Sequence, residues 1–144
     1  MEIRRYETDE EFRRAFSVMQ ELRTHLDEDA FMELVRSMVP EGYELYGLEV
    51  DGSIEALAGI AFRTNLYYGR YIWVFDLITR AASRSRGYGE RLLGYVEDLG
   101  RERGCDVVAL SSGVQRTDAH RFYEDRMSYD RVSYTFKKAL TGRF

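Results

Sequence analysis

Cysteine occurs once in this chain, at Cys105, and proline once, at Pro40. A single cysteine excludes an internal disulfide framework and a multi-cysteine zinc site. Histidine occurs twice, at His25 and His120, so no metal centre built on histidines is expected. Lysine is scarce: Lys137 and Lys138 stand against 19 arginines. Positive charge is not in excess, because the net charge is −4 and the pI about 5.3. That balance gives no basic field for duplex nucleic acid, which is not an expected partner. Long apolar runs are missing as well. The longest is Ala56–Phe62, against roughly 20 residues for a membrane helix, so no membrane association is expected. Met1-Glu2-Ile3-Arg4-Arg5 has no apolar segment behind its charges and does not read as a secretory signal. The expected location is the cytoplasm.

What is present is enough for an ordered core. The chain has 144 residues, 44% hydrophobic and 14% aromatic. A chain of this size buries roughly two-thirds of its unfolded surface. One domain over residues 1–144 is expected, without repeats, linkers or low-complexity stretches.

Periodicity divides the chain into alternating strands and helices. A short strand is expected over Met1–Tyr6. Thr8-Asp9-Glu10-Glu11 then fits a capping box, followed by Phe12, Ala15, Phe16, Met19 and Leu22 at helical spacing, for a helix over 9–24. Asp27 or Asp29 is placed to cap a second helix ending near Pro40. Strands are expected at Tyr43–Val50 and Ser53–Arg63, joined by the hairpin signal Asp51-Gly52. After a loop over Thr64–Gly69, Tyr71–Thr79 carries the strongest strand pattern. Leu92, Leu93, Val96 and Leu99 share one face of a helix that Gly104 closes. Asp106–Ser111 reads as a buried strand, Thr117–Asp125 as a short helix, and Tyr129–Lys138 as a last strand. The expectation is a mixed α/β sheet: antiparallel N-terminal strands running into a βαβ unit.

Two stretches carry chemistry. Arg84-Ser85-Arg86-Gly87-Tyr88-Gly89 lies between a strong strand and an amphipathic helix. Glycines there permit positive φ and close approach of a ligand. Successive backbone N–H groups, a helix N-terminus and two arginines suit an anion such as a pyrophosphate. The Gly-Lys-Ser/Thr ending of a Walker loop is absent, and Leu92 stands where a dinucleotide fingerprint needs glycine. A solvated strand-to-helix connection accounts for the local pattern about as well. The second stretch is Asp118-Ala119-His120-Arg121-Phe122-Tyr123-Glu124. On a helix, Ala119, Phe122 and Tyr123 share a face, with Phe122 suited to the core and the Tyr123 hydroxyl to a structural hydrogen bond or a proton transfer.

These residues resemble the GNAT superfamily of acetyl-CoA-dependent N-acetyltransferases. The family's Arg/Gln-x-x-Gly-x-Gly/Ala signature is matched by Arg84 through Gly89, and its Ala-x-x-Phe-Tyr helix by Ala119 through Tyr123. The element order matches too, so the resemblance covers nearly the whole chain. It departs from the family pattern in three places: Arg80-Ala81-Ala82-Ser83 lacks the proline often found after the fourth strand, Arg116 replaces an asparagine, and Ser128-Tyr129 replaces Gly-Phe. The likeness to aminoalkylphosphonate and aminoglycoside acetyltransferases bears only weakly on the substrate.

The resemblance implies a fold in which the fourth and fifth strands splay and acetyl-CoA enters as co-substrate. Leu77, Ile78 and Thr79 would then meet the pantetheine arm with backbone groups. Arg84, Ser85, Arg86, Gly87, Tyr88 and Gly89 would hold the pyrophosphate, with Arg116 and Phe122 also on the cofactor. A backbone N–H near Ile78 would polarise the thioester carbonyl. Tyr123 would protonate the departing thiolate, and Asp76 would take the amine's proton, unless it is a structural carboxylate. The acceptor would be lined by His25, Asp27, Glu28, Tyr67, Tyr68 and Trp73, although the Asp27-Glu28-Asp29 run also suits a plain helix start. The implied activity is acetyl transfer to a small-molecule amine, with a homodimer as a common arrangement. Two alternatives remain: acetylation of a protein lysine or N-terminus, and a non-catalytic acyl-CoA sensor.

Overall fold

The computed structural model describes residues 1–144. The chain divides into two compact units, Met1–Leu110 and Ser111–Phe144. The first holds a five-stranded sheet in the order β1 (Glu2–Tyr6), β2 (Glu44–Val50), β3 (Ser53–Asn65), β4 (Gly69–Thr79), β5 (Val107–Leu110). All neighbours are antiparallel except β4 and β5, which run parallel. This is the mixed sheet expected from the sequence, with α1 (Asp9–Met19) and α2 (Glu28–Met38) after β1 and α3 (Tyr88–Glu102) between β4 and β5.

Local chemistry accounts for the boundaries. Thr8 accepts from the Glu11 N–H at 3.1 Å, and the Glu11 carboxylate takes the Thr8 N–H at 3.0 Å, completing the capping box of α1. Asp27, rather than Asp29, caps α2 by accepting from Ala30 N at 2.8 Å. At the β2–β3 hairpin, Asp51 and Gly52 both adopt positive φ, +51° and +79°, as a type I′ turn requires. The β3–β4 hairpin runs further than the sequence suggests. Asn65 Oδ1 accepts from Tyr67 and Tyr68 N–H and tightens the turn, so strand pairing extends to Asn65 and Gly69.

The two sheet faces bury different partners. Phe12, Ala15, Val18 and Met19 of α1 and Phe31, Met32 and Val35 of α2 form one core with Leu45, Leu57 and Ile78. Each fully buried large side chain contributes roughly 1.5–3 kcal/mol. Leu92, Leu93 and Val96 of α3 are fully buried outside that cluster. Tyr95 of α3 meets Tyr46, the β2 neighbour of Leu45, at 5.6 Å. Alternation along β2 thus sends Leu45 to one face and Tyr46 to the other.

In the second unit, α4 (Thr117–Arg121) continues as a π-helical turn over Phe122–Arg126, closed by the Met127 N–H on Phe122 O at 3.0 Å. The expected last strand is not formed. Tyr129–Lys138 makes no ladder, and Val132, Tyr134 and Phe136 are exposed. Its alternation satisfies the strand pattern, but a strand also needs a paired neighbour. No helix is long and apolar enough to cross a membrane.

Candidate functional site

The site starts from an irregularity in β4. Gly59 pairs with Asp76 and Ile60 with Val74, so Phe75 is an extra residue, a β-bulge. Past that point β4 also loses its parallel neighbour. The β4–β5 ladder runs from Tyr71↔Val107 to Val74↔Leu110 and stops. Phe75–Thr79 therefore keep β3 on one side and have no β5 partner on the other. Leu77, Ile78 and Thr79 lie on this segment, where an extended ligand has main-chain groups to pair with.

The chain then enters a 3₁₀ turn, Ala81–Ser83, and the loop to α3. Ser85 and Gly87 both have positive φ, +66° and +79°. Gly87 is the N-cap of α3, and no side chain caps that helix. The first N–H groups of α3, at Tyr88 and Gly89, so lack the side-chain acceptor that closes α1 and α2. Arg84, Ser85 and Arg86 are exposed beside them. Uncapped N–H groups, a helix dipole and two guanidinium groups favour a bound anion.

The bulge presents Asp76, which is buried. Its Oδ1 accepts from Arg23 Nε at 2.9 Å, and its Oδ2 from the Tyr43 hydroxyl at 2.8 Å. A second Arg23 nitrogen donates to Phe75 O at 2.7 Å, on the bulged residue itself. Burial, and then the Asp76 charge, hold the Tyr43 phenol well above its ordinary pKa. Both carboxylate oxygens are engaged by protein donors. That arrangement suits orientation better than proton abstraction. Arg23 and Tyr43 were not singled out by the sequence, since no motif marks a partner 53 or 33 residues away.

The acceptor residues expected from the sequence stand on the α1–α2 connector, the start of α2, the β3–β4 turn and β4. His25 is exposed on the α1–α2 connector, Asp27 is the α2 cap, and Glu28 opens that helix exposed. Trp73 is half-buried on β4, paired with Ala61 and Ala109. Tyr67 and Tyr68 sit at the β3–β4 turn, stacked edge-on at 4.8 Å, with Tyr68 against Tyr71. Tyr68 lies in the turn just before β4, eight residues ahead of Asp76 in the sequence.

In the second unit, Tyr123 is half-buried at the second position of the π-helical turn and meets Phe122 at 5.4 Å and Tyr129 at 6.0 Å. Burial raises its pKa above the ordinary phenol value, against a smaller opposing effect of the Arg116 charge. The side chain is therefore a neutral phenol at pH 7, able to donate a proton. Arg116 is exposed at the N-cap of α4. His120 is fixed by its Nε2 on Gly113 O at 2.9 Å.

Comparison with known proteins bears on this geometry. The Acetyltransferase (GNAT) family matches over residues 3–129. An uncharacterized N-acetyltransferase of Bacillus subtilis, YhdJ, is 42% identical over 132 residues, 91% of this chain and 93% of that protein. The aminoalkylphosphonate N-acetyltransferase of Salmonella typhimurium is 27% identical over 139 residues, 94% of this chain and 90% of that one. Among solved structures, the aminoglycoside N-acetyltransferase AAC(6')-Iy in complex with CoA superposes with a TM-score of 0.84. It shares 14% identity and covers 97% of this chain and 95% of its own.

Proposed function

This chain belongs to the Acetyltransferase (GNAT) family, and on that footing we propose that it transfers the acetyl group of acetyl-CoA to a primary amine of a small molecule. The observation that carries this reading is the open edge of β4. Pairing with β5 ends at Val74↔Leu110, and Phe75–Thr79 lead directly into the uncapped, positive-φ loop before α3. Leu77, Ile78 and Thr79 then pair with the pantetheine arm, and Arg84 through Gly89 take the pyrophosphate. A main-chain N–H near Ile78 meets the thioester oxygen as its charge develops.

The amine attacks directly in a ternary complex. Tyr123 hands its proton to the departing thiolate, the role its neutral phenol favours. Arg116 and Phe122 serve the cofactor. Asp76, held by Arg23 and Tyr43, fixes the bulge and sets a negative charge near the attacking amine. The amine's proton leaves through water. The family match runs through both compact units, which supports reading 1–144 as one N-acetyltransferase domain.

A small amine is favoured over a protein acceptor by the name of the Salmonella relative, an aminoalkylphosphonate N-acetyltransferase. The test is release of CoA thiol from acetyl-CoA in the presence of a panel of primary amines, aminoalkylphosphonates among them. Release that depends on a particular amine is expected. CoA binding without release from any small amine or lysine peptide would favour a sensor instead.

A further inference from the structure

The loop between β4 and α3 is unusual in what anchors it. Of residues Arg80–Gly87, only Ser83 is buried. Its hydroxyl donates to Glu55 Oε2 of β3 at 2.5 Å, and its N–H to Arg80 O at 2.9 Å. Arg80 N donates in turn to Glu55 O at 2.8 Å. One residue on, Ala81 N donates to the carboxylate of Glu21 at 2.8 Å, across 60 residues of sequence. The exposed half of the loop, with positive φ at Ser85 and Gly87, follows immediately.

Glu21 lies on the connector between α1 and α2, two residues before Arg23. That connector is itself ordered by Leu22 N and Arg23 N on Met19 O and Leu26 N on Arg23 O. Arg23 grips Asp76 and the bulged Phe75. One short segment therefore holds both ends of the open β4 edge: the bulge through Arg23 and the departing loop through Glu21.

We infer that Glu21 and the Ser83–Glu55 pair are positioning residues for the cofactor loop, and that the α1–α2 connector ties the geometry of that loop to Asp76. The inference rests on the proposed acetyltransferase reading. A loop whose N–H groups must converge on a phosphate binds best when its conformation is fixed beforehand. Strained backbone such as that at Ser85 persists only where its surroundings determine it, and the two carboxylates fix Ala81 and Ser83, the residues that lead into it.

The test is calorimetric titration with CoA of the wild type and of Glu21→Ala, Ser83→Ala and Glu21→Gln, with a melting curve for each. Glu21 is exposed, so its substitution tests the loop even if Ser83→Ala fails to fold. Glu21→Gln keeps an oxygen for Ala81 N and should bind within about twofold of wild type. Glu21→Ala and Ser83→Ala should weaken CoA about five- to twentyfold, Glu21→Ala with little change in Tm. Wild-type affinity in both alanine variants overturns the inference and leaves the acetyltransferase reading standing. No binding of CoA by the wild type overturns that reading and this inference with it.

Discussion

The hydroxyl of Tyr43 and the carboxylate of Asp76 meet at 2.8 Å directly over Gly59, the β3 residue paired with Asp76. A Cβ at Gly59 would overlap the Tyr43 hydroxyl and come within 2.7 Å of Asp76 Oδ2. The missing side chain at Gly59 is thus a condition for the buried pair. Gly59→Ala should destabilise the fold by about 1–3 kcal/mol. It should also lower acetyl transfer more than the loss of folded protein explains. Denaturant melts and rate measurements on the soluble fraction check this.

Asp76→Asn separates orientation from proton abstraction. The amide still accepts from Tyr43 but loses the Arg23 ion pair. The expected outcome is a rate lowered roughly tenfold with the shape of its pH profile kept. If Asp76 were the base, the acidic limb of kcat/KM would disappear in the variant.

Tyr123→Phe should leave CoA affinity unchanged and lower kcat by about 10²–10⁴. Because burial raises the phenol pKa, no alkaline loss of rate from Tyr123 is expected below about pH 10. Steady-state rates from pH 6 to 10, with CoA titrations, report both effects.

Gly87→Ala probes the loop. Nothing stands within 4 Å of the added Cβ, so the cost comes from the backbone at φ +79°. That cost is about 1–2 kcal/mol, expected as roughly tenfold weaker CoA binding. An unchanged affinity would mean that the turn does not hold the cofactor.

Another buried carboxylate, that of Glu49, predicts pH dependence of stability rather than of rate. Buried Glu49 accepts from the Tyr6 hydroxyl at 2.6 Å and pairs with Arg14 at 3.2 Å and Arg4 at 3.4 Å. Burial opposes its ionisation, but the Tyr6 and Arg14 hydrogen bonds and the two arginine charges outweigh it, so its pKa is lowered. A lowered folded pKa stabilises above the unfolded value, about 4.3, and that stability is lost as pH falls through the folded pKa. Glu49→Gln should therefore cost about 1–3 kcal/mol at pH 7, and the gap to wild type should close below about pH 4. Melting curves from pH 3 to 7 test it.

Much of this was legible in the residues. Thr8 with Glu11, Asp51-Gly52, and the aliphatic face of α3 are local signals, and each element formed there, although the helix expected over 9–24 ends at Met19. The Arg84–Gly89 and Ala119–Tyr123 stretches led to the family for the same reason. The boundaries that moved depended on side chains folding back, as at Asn65, or on pairing, as at Tyr129–Lys138. The partners of Asp76 depended on tertiary contacts. A carboxylate in a strand pattern carries no mark of the arginine and tyrosine that will meet it, so Asp76 read equally as base and as structural residue. The acceptor residues carry no local mark either, because His25, Asp27, Tyr68 and Trp73 stand on different elements and only tertiary packing decides which of them face one another.

The open β4 edge with its anion-binding loop is the central claim, and calorimetric titration with acetyl-CoA and with free CoA tests it most directly. Binding of both at micromolar concentrations, weakened in Gly87→Ala, is the result predicted. No binding up to millimolar concentrations would contradict it and leave Arg84–Gly89 as an ordinary connection between a strand and a helix.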